Sequence, residues 1–360
     1  MLELGTSAQP DPRPDVLVVG GGIVGVATAL ACHRAGLGRV SLIEAGDLGS
    51  GATAGAAGLL VPEAHLGRDP EAFVELARLS LALWRELDRS LPGGVGFTEM
   101  DWVGLAPLPA GFVSNPPPGV EWLSAGDIAE LVPGLTLNTS GALVHHQGRV
   151  NPLRALSRMA AHVPQVATGT AAIGCVERGG LVVTVSTPGG PVSPGSVIFA
   201  TGGPPDLAGL DLDVPSDFVK GHLAATVPTS LKIPGSMAPL GTQIEDGRLL
   251  VGGTLDTGDA SSEVDPRVID GIKRDLQAAW PVLGQTRLSH RWCCWRPHHP
   301  DGLPVIDRVP GVGNAWFTSG HFRTGILMAP ATARVLSEWV ATGRPPELAT
   351  AWGVTGRWPS

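Results

Sequence analysis

The chain contains no tyrosine, and its only lysines are Lys220, Lys232 and Lys273. A phenol is therefore unavailable as an acid, a base or a carboxylate anchor, and lysine chemistry is confined to three positions. Charged residues make up 16% of the 360, with 25 basic against 33 acidic and a formal net charge of -8. The basic residues form no stripe or patch, which argues against a nucleic-acid partner. Low charge beside 43% hydrophobic residues also excludes a disordered chain. Four cysteines give no disulfide framework, and Cys293 and Cys294, being adjacent, cannot bridge each other without strain. No long hydrophobic run is present. The apolar stretch from Val16 to Leu30 is interrupted by glycines and is too short for a membrane span. Residues 1–14 lack an apolar core with positive flanks, so they read as a polar tail and not as a signal peptide. A cytoplasmic protein with reduced thiols is expected; the sequence does not indicate an oligomeric state.

What is abundant is glycine and proline, 50 and 33 residues, placed between apolar runs without a period, as in a turn-rich globular protein. The length suggests one large or two interleaved domains. Residues 15–19 read as a buried parallel strand, followed by Gly20-Gly21-Gly22-Ile23-Val24-Gly25 and an Ala/Leu-rich helical run that Gly36 ends. A second strand, 39–43, closes with Glu44, 19 positions after Gly25. This is the dinucleotide fingerprint in its required strand–turn–helix–strand context. Gly20 permits the tight turn, Gly22 lets a pyrophosphate approach the backbone, and Gly25 lets helix and strand pack closely. The helix start, through Ile23 and Val24, offers free N–H groups and a positive dipole end to phosphates. Glu44 is placed to accept ribose hydroxyls, which disfavours a 2′-phosphate. At this point NAD and FAD both remain open.

After Glu44 the run from Ala45 to Leu60 is composed mostly of small residues with two hydroxyls, Ser50 and Thr53. Small side chains would let a flat ring system lie against the backbone, and either hydroxyl could bond a pyrophosphate; a flexible Gly/Ala linker is the plainer alternative. Four stretches, in order, then carry a resemblance. They are residues 20–44; Thr53-Ala54-Gly55-Ala56-Ala57-Gly58-Leu59; Gly148-Arg149-Val150-Asn151-Pro152 with the later Val197-Ile198-Phe199-Ala200-Thr201-Gly202-Gly203; and the block 292–330, including Trp295-Arg296-Pro297 and Gly320-His321-Phe322-Arg323-Thr324-Gly325-Ile326-Leu327. The chain resembles the D-amino-acid-oxidase superfamily, in its glycine oxidase and sarcosine oxidase branch, over about residues 15–345.

The resemblance implies FAD as cofactor and an α/β fold. A Rossmann-like FAD-binding domain (15–75, 146–217 and 297–345) would be interleaved with an α+β substrate-binding domain on a mostly antiparallel sheet (76–145 and 218–296), between tails at 1–14 and 346–360. FAD contacts are expected at Gly20, Gly22, Ile23, Val24, Gly25, Glu44, Ala45, Ala52, Thr53, Ala57, Gly58, Leu59, Ile173, Thr201 and Gly202, and in the turn His321, Phe322, Arg323, Thr324, Gly325, Ile326, Leu327. Residue patterns predict helices over 71–90, 151–161, 266–279 and 331–342, and strands over 181–186, 196–200, 218–227, 241–245 and 249–254.

In this family the flavin takes a hydride equivalent from the carbon next to nitrogen, so the protein mainly supplies orientation. The positions of Arg296 and Arg323 match arginines that hold the substrate carboxylate, and a guanidinium can grip it through two parallel hydrogen bonds. Each could instead serve a structural ion pair or the flavin. His321 is a weaker candidate for a base. The neighbours His298 and His299, like His145 and His146, lack a further ligand at metal spacing, so no metal site is expected. Cys294 matches the position of the sarcosine oxidase cysteine that is joined covalently to the flavin. The Trp-Arg-Pro signature instead resembles glycine oxidase, where FAD is held non-covalently. Two departures stand out. The family's carboxylate-binding tyrosine is matched by Leu240, and the oxygen-activating lysine of sarcosine oxidases by an apolar position near Leu250. Trp295 also replaces a smaller residue beside Arg296. A more apolar site is expected, suited to an N-substituted glycine, a D-amino acid or a larger amine, with O₂ as acceptor. Oxidation of a 2-hydroxy acid, and a flavin-binding role in assembly or modification of a partner, are the alternative readings.

Overall fold

The computed structural model describes residues 9–238, 240–259 and 261–358, so residues 1–8 of the tail expected at 1–14 lie outside the described residues. In chain order the elements are β1 (Val16–Val19), α1 (Ile23–Arg34), β2 (Val40–Ile43), β3 (Leu59–Leu60), α2 (Glu71–Ser90), β4 (Thr98–Leu105), α3 (Ala110–Ser114), β5 (Glu121–Leu123), α4 (Ala125–Leu131), β6 (Gly141–Arg149), α5 (Pro152–Ala160), β7 (Gln165–Ala167), β8 (Gly174–Arg178), β9 (Leu181–Thr187), β10 (Gly190–Val192), β11 (Ser196–Gly202), β12 (Asp217–Thr226), β13 (Ser236–Ala238), β14 (Gly241–Gln243), β15 (Leu249–Gly252), α6 (Pro266–Ala279), β16 (Leu288–His298), β17 (Val305–Arg308), β18 (Ala315–Ser319) and α7 (Gly325–Thr342).

Two sheets dominate. The first has six strands in the order β17-β18-β11-β1-β2-β7 and is parallel except for the β17–β18 hairpin. β1 lies in its middle, which explains why all four of its residues are apolar and buried: both faces of a central parallel strand are covered. α1, α2, α5 and α7 supply one covering layer, with Val26, Leu30, Trp84, Leu156 and Leu336 in the same core. The second is a nine-stranded mixed sheet that runs from β16 through β12 and β15 to β6 and β3. α6 packs on it through Ile269, Ile272 and Leu276. β8, β9 and β10 form a separate three-stranded meander.

α7 starts at Gly325, six residues earlier than Pro330 and the run after it suggest, and Pro330 sits inside the helix. Proline removes an N–H and leaves the carbonyl one turn earlier without its helical partner. The structure supplies another donor: the Trp84 indole N–H bonds Ile326 O at 3.0 Å. Ser80 on the same face of α2 donates to Leu327 O at 2.6 Å and accepts the Ala331 N–H at 3.2 Å. α2 therefore satisfies the broken turn and fixes the start of α7. All of α2 joins the first core, and does not divide at residue 75 as the expected boundary has it. β3 and β6 likewise run into the second sheet from segments expected to belong wholly or partly to the first domain.

The expected C-terminal tail is packed. Trp352 is buried, its carbonyl accepts the Ile306 N–H at 3.1 Å, and Arg357 grips Asp301 through bonds of 2.7 and 3.0 Å. Among the described residues no helix is long and apolar enough to cross a membrane, and Cys32, Cys175, Cys293 and Cys294 are free thiols. Trp352→Ala should lower stability by about 3–5 kcal/mol in denaturant unfolding of the holoprotein, the usual loss for a buried tryptophan. A change within about 0.5 kcal/mol would mean that 346–358 is a surface tail after all.

Candidate active site

The turn between β1 and α1 is shaped by two contacts that tolerate no side chain. A Cβ on Gly20 would meet Ala200 O at 2.4 Å, and one on Gly25 would meet Gly20 O at 1.9 Å. Gly22 differs. The nearest atom to a Cβ there is Thr53 Oγ1 at 3.6 Å, an ordinary contact, so the protein itself leaves room for a side chain. Gly22 faces a cavity of about 1270 Å³ that runs from this turn to β16. The helix start caps only part of itself: Thr53 Oγ1 accepts the Ile23 N–H at 3.0 Å, and no side chain caps from Gly22. Unpaired first-turn N–H groups and the helix dipole thus face the cavity, as an anionic phosphate requires. Glu44 closes the same end. Its carboxylate accepts the N–H groups of Gly21 and Gly46, and it lines the cavity.

The loop 49–58 forms one long wall and is tied to β16, where the Trp292 indole donates to Gly55 O at 3.2 Å. Gly55 must be bare, since a Cβ would lie 2.3 Å from Cys294 Sγ. At the far end β12 and β16 pair antiparallel, with Gly221 opposite Cys294 and Val219 opposite Arg296. The Arg296 side chain lies across Gly221, where a Cβ would be 1.9 Å from its Nη1. Arg296 is 9% exposed, and its Nη1 donates to Thr254 O at 2.8 Å. It makes no ion pair among the described residues. Burial pushes its pKa below the usual guanidinium value, with the nearby charge of Arg323 adding to the effect. Arg323 presents much of its surface to the cleft, yet the surrounding protein desolvates it enough to lower its pKa as well.

Residues 15–339 match the family described as FAD dependent oxidoreductase. The chain belongs to this family. The chain is similar to glycine oxidase of Bacillus licheniformis, 28% identical over 364 residues, covering 94% of this chain and 95% of the relative. It is also similar to glycine oxidase of Pseudomonas aeruginosa, 28% identical over 354 residues, with 92% and 95% covered. Among solved structures, glycine oxidase from Geobacillus kaustophilus superimposes with a TM-score of 0.83 at 24% identity, covering 97% of this chain and all of that one, which establishes a shared fold.

The cavity suits FAD on grounds internal to this flavoprotein: an anion-ready helix start, a glycine whose missing Cβ serves nothing but the cavity, and a carboxylate at the end of β2. Of the residues expected from sequence, Gly20, Gly22, Ile23, Val24, Glu44, Ala45, Ala52, Thr53, Ala57, Gly58 and Leu59 line it, as do Thr201, Gly202, His321, Phe322, Arg323, Gly325 and Ile326. Arg296, Cys294, Trp295 and Leu250 complete the list. Four expected residues lie elsewhere. Gly25 is behind the turn, in its packing role. Ile173 points outward, 56% exposed, with its N–H donated to Ser186 O, while Thr170 and Ala172 face the cavity instead. Thr324 is buried at the start of α7, with its hydroxyl donating to His321 O at 2.8 Å. Leu327 belongs to the core, and its carbonyl is taken by Ser80 and Trp84.

The chemistry of the other candidates is narrowed by their surroundings. Burial pushes His321 down to about 4, with the charge of His299 adding to it, which makes it a weak base; its Nε2 lies 3.0 Å from Thr332 Oγ1. His299 is buried between Pro215 O and Ser319 Oγ, a structural role. No cluster of three or more His, Cys, Asp or Glu able to hold a metal occurs among the described residues. Leu240 is not on the cavity wall. It packs against Leu249, Leu276 and Trp280 behind β14, so the register drawn from the sequence at this hairpin is off. The residues facing the cavity there include Ser236 and Thr242, whose hydroxyl oxygens are 2.9 Å apart, so that wall is less apolar than expected.

Sequence reasoning missed Gly221, Thr254 and the group beneath them. Asp256 accepts from Thr254 Oγ1 at 2.6 Å and sits 2.7 Å from His222 Nδ1, while His222 Nε2 accepts the Asp265 N–H at 2.9 Å. Lys220 is fully buried and spends its donors on Asp259, Ser261 and Glu263 O. A lone glycine inside a strand is a recognised sign of close approach and could have flagged Gly221. Gly22→Ala should fold with unchanged apoprotein stability but bind FAD at least about tenfold more weakly in a flavin fluorescence titration, because its methyl occupies cavity and not protein. Gly25→Ala should fail to fold. Unimpaired FAD binding by Gly22→Ala would refute the cradle.

Proposed function

We propose that the enzyme oxidises a carboxylate-bearing primary or secondary amine, of the glycine, N-substituted glycine or D-amino-acid type, to an imine that water then hydrolyses to a 2-oxo acid and an amine. The observation that carries this reading is the buried Arg296 guanidinium, without an ion-pair partner among the described residues and lining the same cavity as the proposed FAD cradle. Bound FAD would supply the two-electron acceptor for the hydrogen on the carbon next to nitrogen. The chain's own part is positional. Arg296, held by Thr254 O, would take the carboxylate with two parallel hydrogen bonds, and Arg323 would add charge beside it. Trp292, Trp295, Leu250 and Met237 would exclude water from the reacting carbon. The relatives named glycine oxidase support both the amine and O₂ as acceptor. Free thiols suit a cytoplasmic setting.

FAD is proposed to be held non-covalently. Burial pushes the Cys294 thiol up, which disfavours the thiolate, and the sulfur is wedged against Gly55. Anaerobic mixing with sarcosine, D-amino acids and longer N-alkyl glycines should bleach the flavin, aerobic turnover should release peroxide, and acid precipitation should leave a colourless pellet. Arg296→Gln should lower kcat/KM by about 100-fold or more, the loss of a charge-assisted anchor of ~3 kcal/mol. Bleaching by 2-hydroxy acids and not by amines would move the activity to hydroxy-acid oxidation. Bleaching by neither class would leave a flavin-binding protein acting on a partner.

A further inference from the structure

A third arginine faces the same cavity. Arg68 follows the short 3₁₀ turn Pro62–His65, lines the cavity, and is close enough for its charge to act on Arg323. Arg323 in turn acts on Arg296, and all three arginines line the one cavity. Among the described residues none of them has a carboxylate partner. The acids nearby are committed elsewhere. Both oxygens of Glu63 are gripped by Arg78 at 2.9 and 2.7 Å. Asp69 is 2.7 Å from His65 Nδ1, and Asp256 is held by His222 and Thr254. Apart from Thr254 O on Arg296, no protein acceptor meets these side chains within the described residues.

Three like charges on one cavity, whose nearby carboxylates Asp69 and Asp256 are bonded to other groups, repel one another, and two of them are also desolvated. Such an arrangement is stabilised when a ligand brings negative charge to it. A single carboxylate saturates one guanidinium fork and leaves Arg68 and part of Arg323 unmatched. We infer that the substrate carries two acid groups: an amine of the N-substituted glycine type whose nitrogen substituent ends in a second carboxylate. Arg296 takes the glycine carboxylate, Arg68 takes the distal one, and Arg323 stands between them and serves both. Ala64 and Phe112 supply apolar wall beside Arg68 for the connecting chain. This inference rests on the amine-oxidation reading for the placement of the first carboxylate and adds the second.

The test uses holoenzyme and two dead-end acids of one shape that lack an oxidisable amine: thiodiacetate, with two carboxylates, and (isobutylthio)acetate, in which the second carboxylate is an isopropyl group. Each is titrated against the flavin absorbance spectrum. Thiodiacetate should bind at least about tenfold more tightly, and Arg68→Gln should bring the ratio of the two affinities down towards one. FAD content and thermal melting report whether that variant is folded, and Arg68→Lys, which keeps the charge, should restore most of the preference. Anaerobically, iminodiacetate should bleach the flavin at lower concentrations than N-isobutylglycine. A wild-type ratio near one, or a ratio that Arg68→Gln leaves unchanged, overturns the second anion site while leaving the single-carboxylate reading standing. No spectral response to either acid overturns both.

Discussion

The active end of this enzyme depends on a guanidinium lying flat across a bare backbone. β12 and β16 are neighbours in the sheet, and Arg296 reaches over the position where Gly221 has no side chain. The slot buries the charged group at 9% exposure on the cavity wall, with Thr254 O its one acceptor among the described residues. Burial of an unpaired charge is unfavourable in the resting protein. Here that cost sits on the cavity wall proposed to take the substrate carboxylate, whose charge would offset it. The Thr254 carbonyl fixes the orientation of the fork, and the Asp256–His222 pair fixes the loop bearing Thr254.

The two ends of the cavity are built by different physical means. At the nucleotide end the work is done by backbone: a left-handed Gly20, a close-packed Gly25 and helix N–H groups without partners among the described residues. At the substrate end it is done by long side chains on strands of the second sheet. The turn from His321 to Ile326 joins them, and its position is set from behind by Trp84 and Ser80 of α2. A helix remote in sequence thereby holds this cavity-lining turn, because it supplies hydrogen bonds to the helix turn that Pro330 breaks.

This division explains what was legible in the sequence. The dinucleotide fingerprint is local, with each glycine's reason lying within a few residues, so β1, α1, β2 and the cradle could be read directly. α2 was legible from apolar periodicity and α5 from its proline at the first turn, and the helix expected over 266–279 is α6. The start of α7 was not, since the partner of its broken turn lies some 240 residues away in sequence. Leu240 was misplaced because the hairpin at β13–β14 is short and its register is set by cross-strand pairing. Ile173 and Leu327 were expected among the cofactor contacts, but the Ile173 side chain points outward and the Leu327 carbonyl is taken by Ser80 and Trp84. The missed residues, Gly221 above all, act through neighbours on another strand, a relation that no single stretch displays.

The central claim is most directly tested by filling the slot under Arg296. Gly221→Ala should retain full FAD content, because the cradle lies at the other end of the cavity. Titration of that holoenzyme with (methylthio)acetate should show carboxylate affinity weakened by at least about tenfold, as the added methyl displaces the guanidinium. An affinity equal to that of the unaltered enzyme, in a folded and fully FAD-loaded variant, would contradict the account.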